Sequence, residues 1–166
     1  MVSQAMTTGA VDEVWTLLEQ VTDPEIPVIS VVDLGLVREV REGADGIEVV
    51  ITPTYSGCPA TRQIEQDIRT ALADAGVEAT LSIVLSPAWT TDWISEAGCE
   101  KLRGYGIAPP VAKAGKRAMF GEQPQVACPQ CGATQTEMIS EFGSTPCKAL
   151  WRCTQCREPF DYFKCI

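Results

Sequence analysis

The sequence contains no histidine. That absence removes Ser/His/Asp and Cys/His nucleophilic machinery and every His-ligated metal site, so a metal bound by this chain has to rest on sulfur or carboxylate. Long apolar runs are missing too: nothing approaches the roughly 18 to 20 residues that a membrane helix needs. The opening residues, MVSQAMTTGA, lack the charged and apolar regions of a secretory signal. A cytoplasmic location with no membrane partner is therefore expected. Positive charge is scarce, with 13 Lys plus Arg against 22 Asp plus Glu and a net charge of -9. Such a balance repels polyphosphate and opposes a nucleic-acid partner. The excess acid lies in residues 1–120, which hold 17 acids and 9 bases, against 5 and 4 in residues 121–166.

What the chain does have is cysteine. Of eight, Cys128, Cys131, Cys147, Cys153, Cys156 and Cys165 fall in the last 39 residues. In a chain without a secretory signal, such a cluster points to metal binding over disulfides. CPQC at 128–131 and CTQC at 153–156 are two Cys-x2-Cys pairs separated by 21 residues. This is the spacing of a structural zinc site, in which two knuckle turns gather four thiolates. The segments TQTEMISEF, CKALWRC and PFDYFKCI supply short strands with aromatics for a minimal core. A unit this small can hardly fold unaided, so bound metal supplies the missing stability. A zinc ribbon over residues 128–166, with Cys128, Cys131, Cys153 and Cys156 as ligands, is the expectation. An iron centre on the same sulfurs, a redox dithiol, and a cluster that recruits Cys147 or Cys165 compete with it; Cys147 is read as a core thiol.

The first part of the chain reads as a mixed α/β unit. Val11, Val14, Trp15, Leu18 and Val21 form a helical stripe over residues 10–21, ended by Pro24 and Pro27. LGLVREV and GIEVVIT make a hairpin around Asp45-Gly46, and ATLSIVLS a third strand. Ile64, Ile68, Ala71 and Leu72 predict a helix from about Pro59 to Ala75, closed by Gly76. A further helix is expected within residues 87–106, carrying Cys99 as a core thiol. The order α-β-β-α-β-α implies an α+β fold, a small two-layer sandwich over residues 1–106. Residues 107–127 read as a linker, with Lys113, Lys116 and Arg117 solvated, before the ribbon.

Cys58 stands between Gly57 and Pro59 at the start of the second helix. Proline is favoured at the first helical position, which makes Cys58 the expected N-cap, its sulfur facing the positive end of the helix dipole, where a thiolate is favoured. A buried structural cysteine, a catalytic nucleophile and a transient ligand to metal or cluster all remain open. Without histidine to act as base, nucleophilic catalysis loses ground to metal handling.

DPEIPVISVVDLGLV (23–37) followed by TPTYSGCPA (52–60) resembles the small domain of iron-sulfur cluster assembly factors, among them SufT-like proteins and the eukaryotic cytosolic targeting factors. PAWTTDWISEAGCEKLRGYGIAPP, SEFGSTPCKALWRC and EPFDYFKC are similar, more narrowly, to the PaaD (PaaJ) family, accessory proteins of bacterial phenylacetyl-CoA epoxidase systems. The resemblance implies a non-catalytic maturation factor for iron-sulfur or di-iron centres in aerobic phenylacetate degradation, with the epoxidase oxygenase and reductase subunits as partners. It places the family's motif cysteine on Cys58, within a loop matched by Thr54, Ser56, Gly57 and Pro59. Asp23, Pro24, Glu25 and Asp33 match a second motif without assigned chemistry; Asp33 reads as a turn cap. Cys58 is thus expected to hold iron or an iron-sulfur cluster in passing. The rivals are a structural subunit of the epoxidase complex that transfers no metal, and a thiol-redox enzyme using Cys58 or a ribbon pair. Self-association into a homo-oligomer is left open.

Overall fold

The structure is a computed structural model, and it describes residues 8–43, 45–111 and 124–164. The readings made for Lys113, Lys116, Arg117 and Cys165 lie outside the described residues. Contacts divide the chain into two compact units, Met1–Trp89 and Thr90–Ile166.

The first unit opens with α1 (Thr8–Leu18), whose Val14 and Leu18, one turn apart on the same face, are fully buried. The chain then turns through Asp23, whose Oδ1 accepts from the backbone N–H groups of Glu25 (2.8 Å) and Ile26 (2.9 Å), so the Pro24 segment is held as a tight loop. A second buried turn follows. Ser30 donates through its hydroxyl to Asp33 Oδ2 (3.0 Å), and Asp33 N donates back to Ser30 Oγ (3.0 Å).

β1 (Val37–Gly43) and β2 (Gly46–Ile51) form the expected antiparallel hairpin, with Val40 opposite Val49 and Gly43 opposite Gly46. Gly46 sits at φ +118°, and a Cβ there would meet the Glu78 carbonyl at 2.9 Å, so both the turn and the close approach of the next connection require glycine. α2 (Thr61–Asp74) then crosses to β3 (Ala79–Ile83), which pairs parallel to β2 with Leu81 opposite Val49. The sheet order is β1-β2-β3.

Ile47, Val49 and Ile51 alternate on β2 and are buried, while α1 packs on β1, α2 on β3, and the helices on each other. Glu48 points the other way, where it accepts from Arg41 Nε (2.8 Å) and the Ser82 hydroxyl (2.6 Å). Trp89 closes the unit, its buried indole N–H donating to the Leu34 carbonyl at 2.9 Å.

The second unit carries a 3-10 turn (Thr91–Trp93), α3 (Glu96–Gly104), β4 (Ile107–Ala108), β5 (Thr136–Ser140), β6 (Lys148–Cys153) and β7 (Pro159–Phe163). The helix expected across 87–106 is therefore corrected: only its second half is α-helical. Ser95 is extended and its hydroxyl accepts from Gly98 N at 2.9 Å, which fixes the start of α3 there. α3 packs on β4, which pairs parallel to β7; β7-β6 and β6-β5 are antiparallel, giving the order β4-β7-β6-β5. β4 lies within the stretch read as a linker, and Val126 from its far end joins the ribbon's buried core beside Trp151, Phe160 and Tyr162.

Candidate metal centre and thiol site

The two Cys-x2-Cys pairs come together in the second unit. The sulfurs of Cys128, Cys131, Cys153 and Cys156 all lie within 4.8 Å of one another. A tetrahedral site with metal–sulfur bonds of about 2.3 Å has sulfur–sulfur edges of about 3.8 Å. Cys128 and Cys156 are 3.7 Å apart and Cys131 and Cys153 3.6 Å, so the donor set fits such an ion with little adjustment.

Backbone hydrogen bonds build both knuckles. Gly132 N donates to the Cys128 carbonyl and Cys128 N to that of Ala133 (both 2.9 Å), and Cys153 N donates to Glu158 O at 3.0 Å. Cys156 N points at the Cys153 sulfur (3.5 Å), and with the other donors around it this holds the Cys153 thiol down to about 7. Cys156 goes the other way: donation from the Glu158 backbone lowers it, but burial and the three neighbouring thiols win and push it up to about 12. Four sulfurs this close cannot all ionise alone, and a cation is what lets them do so. The cluster is a metal-binding site. Among the described residues it comprises four cysteines; Cys147, half-buried, instead lies 3.0 Å from the Thr145 hydroxyl. Cys99 is half-buried on α3, and burial pushes its thiol up.

Cys58 lies in the first unit, in the loop between β2 and α2. Its expected place as N-cap is corrected: the N-cap is Ala60, in helical conformation and with no side-chain cap bond. Cys58 instead ends one turn and begins another, with Cys58 N donating to Tyr55 O and Thr61 N to Cys58 O (both 3.2 Å). Pro59 is then the second residue of a β-turn, not the first of the helix.

The half-buried Cys58 borders a small open depression lined by the apolar Leu36, Ile51 and Ile64 together with Asp23, Thr52, Thr54 and Thr61. Asp23 and Cys58, 35 positions apart, thus line one site. The sequence marked both motifs but offered no reason to join them chemically. Asp33 and Glu25 are not among its lining residues; Asp33 serves the turn with Ser30. Among the described residues no helix is long and apolar enough to cross a membrane.

Comparison with known proteins gives two family matches: an iron-sulfur cluster assembly protein family over residues 11–83, and the PaaD zinc beta ribbon domain over residues 112–164. An Escherichia coli protein named as a putative 1,2-phenylacetyl-CoA epoxidase subunit is 52% identical over 157 residues, covering 94% of this chain and 93% of that one. An Fe-S protein maturation auxiliary factor of Porphyromonas gingivalis is 39% identical over 88 residues, 51% of this chain and 83% of the relative. A crystal structure of a domain of unknown function, DUF59, from Bacillus anthracis superposes with a TM-score of 0.52 at 28% identity, covering 57% of this chain and 92% of that one.

Proposed function

Because this chain belongs to the PaaD family of phenylacetyl-CoA epoxidase proteins, in which an iron-sulfur assembly domain precedes a zinc ribbon, we propose that it matures the metal centres of an epoxidase of that kind. Cys58 takes iron or an iron-sulfur cluster as cargo and passes it to the oxygenase or reductase subunit. The ribbon, with zinc on Cys128, Cys131, Cys153 and Cys156, presents a rigid docking module to that client. The protein itself catalyses no reaction on phenylacetyl-CoA.

The observation that carries this reading is the contrast between the two thiol sites. The ribbon gathers four sulfurs into a closed set with no position left for exchange, as structural sites do. Cys58 offers one sulfur at the edge of an open depression, where a bound metal keeps free positions for a receiving ligand. Zinc in the ribbon, when bound, contributes folding energy and no redox chemistry.

The test is a cell in which the epoxidase is expressed with wild-type protein, with Cys58→Ser, or without the protein. Cys58→Ser is expected to leave the protein's fold and abundance unchanged while the client's iron content drops to that of the strain without it. The naming of the Escherichia coli relative as an epoxidase subunit supports a second reading, a structural member of the complex that transfers no metal. On that reading the client keeps its full iron with Cys58→Ser, and the protein co-purifies with it in fixed stoichiometry.

A further inference from the structure

We propose that the open edge of β3 is a self-pairing surface, on which β3 of a second copy adds antiparallel and joins the two three-stranded sheets edge to edge. The inference is independent of the chemistry at Cys58 and rests on the two edges of the sheet, which differ in kind.

The edge at β1 is guarded. Its sequence, VREVREG, sets Arg38, Glu39, Arg41 and Glu42 along the strand, and Glu39 and Glu48 both pair with Arg41. Charge of this density keeps a sheet edge from pairing with another chain. Residues 79–85 at β3, ATLSIVL, contain no charge and no proline. Such an edge is a template for a further strand.

The backbone of β3 is placed to receive one. Val84 N donates to the Ile51 carbonyl and Ile47 N to the Glu78 carbonyl, so in this parallel pair the even-numbered residues of β3 bond to β2. Ala79, Leu81 and Ile83 turn their N–H and C=O groups to the open edge, where no bond is found among the described residues. The side chains agree with the backbone. Ile83 pairs with Ile51 on the helix-covered face of the sheet, yet Ile51 is 2% exposed and Ile83 46%. Leu85, just past the strand, is 59% exposed.

The pattern of the edge selects a second copy as its occupant. Antiparallel pairing centred on Ser82 sets Leu81 opposite Ile83 and Ala79 opposite Leu85, so the outward N–H and C=O groups meet partners and a small side chain faces a large one. Thr80 then meets Val84, and Ser82 meets Ser82. Charge favours the same match. Residues 1–120 carry 17 acids and 9 bases, so two copies repel over most of that surface. Along this edge they meet through an uncharged run, with Glu78 opposite Ser86 and no acid facing an acid. A charged client segment would find no counter-charge here. Two short strands bury less than the roughly 1,200 Å² at which standard interfaces begin, so the dimer is weak, with Kd in the micromolar range. Antiparallel pairing also sends the two β2 strands in opposite directions, so the Cys58 loops that follow them lie at opposite ends of the joined sheet.

The experiment uses the full zinc-loaded chain under reducing conditions. Sedimentation from about 1 μM to 1 mM should show a monomer-dimer equilibrium, and amide exchange at Leu81 and Ile83 should slow as the dimer fills. Ile83→Lys should raise Kd at least about tenfold, because the ammonium loses water opposite Leu81 of the second copy. Its thermal midpoint at high dilution should equal that of the wild type, the side chain being half-exposed. Oxidation of cysteine variants then reads the register. Ser82→Cys, a non-hydrogen-bonded pair on the two-fold axis, should give a disulfide-linked dimer above the wild-type background. Thr80→Cys, roughly 13 Å from its mate, should not. A monomer at every concentration, a dimer whose Kd Ile83→Lys leaves unchanged, or linkage through Thr80→Cys in place of Ser82→Cys overturns the proposal. So does slow exchange at Leu81 and Ile83 in the monomer, which would show that the chain itself covers the edge.

Discussion

Gly132 and Arg157 occupy the same step of the two cysteine knuckles: each follows the second cysteine of its pair, and each adopts left-handed backbone, at φ 74° and 66°. Glycine takes this conformation freely, whereas an L side chain costs roughly 1–2 kcal/mol there. No atom lies within 4 Å of a Cβ built on Gly132, so the backbone alone resists substitution. Gly132→Ala should destabilise the zinc-loaded ribbon by about 1–2 kcal/mol. Arg157→Gly should be neutral to stabilising by up to about 1 kcal/mol, relief of strain being partly offset by a more flexible unfolded chain. Denaturant unfolding followed at Trp151 checks both, and a stabilising Gly132→Ala would contradict the account.

Metal removal should dissect the molecule. A chelator strong enough to strip the four sulfurs is expected to unfold β5, β6 and β7, because the ribbon core is small, with Val126, Trp151, Phe160, Tyr162 and Phe163 its chief large buried side chains besides Cys128 and Cys153. The β1-β2-β3 sheet has its own core and should persist. Hydrogen exchange on metal-free protein reads this directly: protection lost over residues 136–163 and retained over 37–51. Uniform loss, or protection retained in both, would show that metal and ribbon stability are not linked in this way.

The ribbon also depends on a charged pair. Lys148 is buried, and its Nζ lies 3.1 Å from Asp161 Oδ2, which is partly exposed. Removing one partner of a buried pair strands the other, at a cost of about 3–5 kcal/mol. Asp161→Asn should sit near the lower limit, at about 3 kcal/mol, since water reaches that side of the pair. Replacing both residues with apolar ones of similar volume should recover most of the loss. Thermal unfolding of the zinc-loaded single and double variants measures the difference.

Much of this was legible in the sequence because period and spacing are local. Asp45-Gly46 fixed the hairpin, the stripe of Ile64, Ile68 and Leu72 fixed α2, and two Cys-x2-Cys pairs marked the four-sulfur site. The start of α2 was not legible, for a definite reason: proline at the second position of a β-turn and proline at the first position of a helix share the same φ, so Pro59 signals either. The late start of α3 was signalled by Ser95 followed by Glu96, but the apolar residues at Trp89, Trp93 and Ile94 masked it. That Asp23 and Cys58 line one depression depends on β1 and β2 bringing two distant loops to one end of the sheet. No local pattern encodes that.

The central claim is transfer from Cys58, and the most direct measurement is reactivation of metal-free epoxidase subunits by iron-loaded protein in the presence of a chelator that intercepts free iron. Wild-type protein should restore client iron and activity, and Cys58→Ser, with its ribbon zinc intact, should restore neither. Equal reactivation by the Cys58→Ser protein would contradict the account.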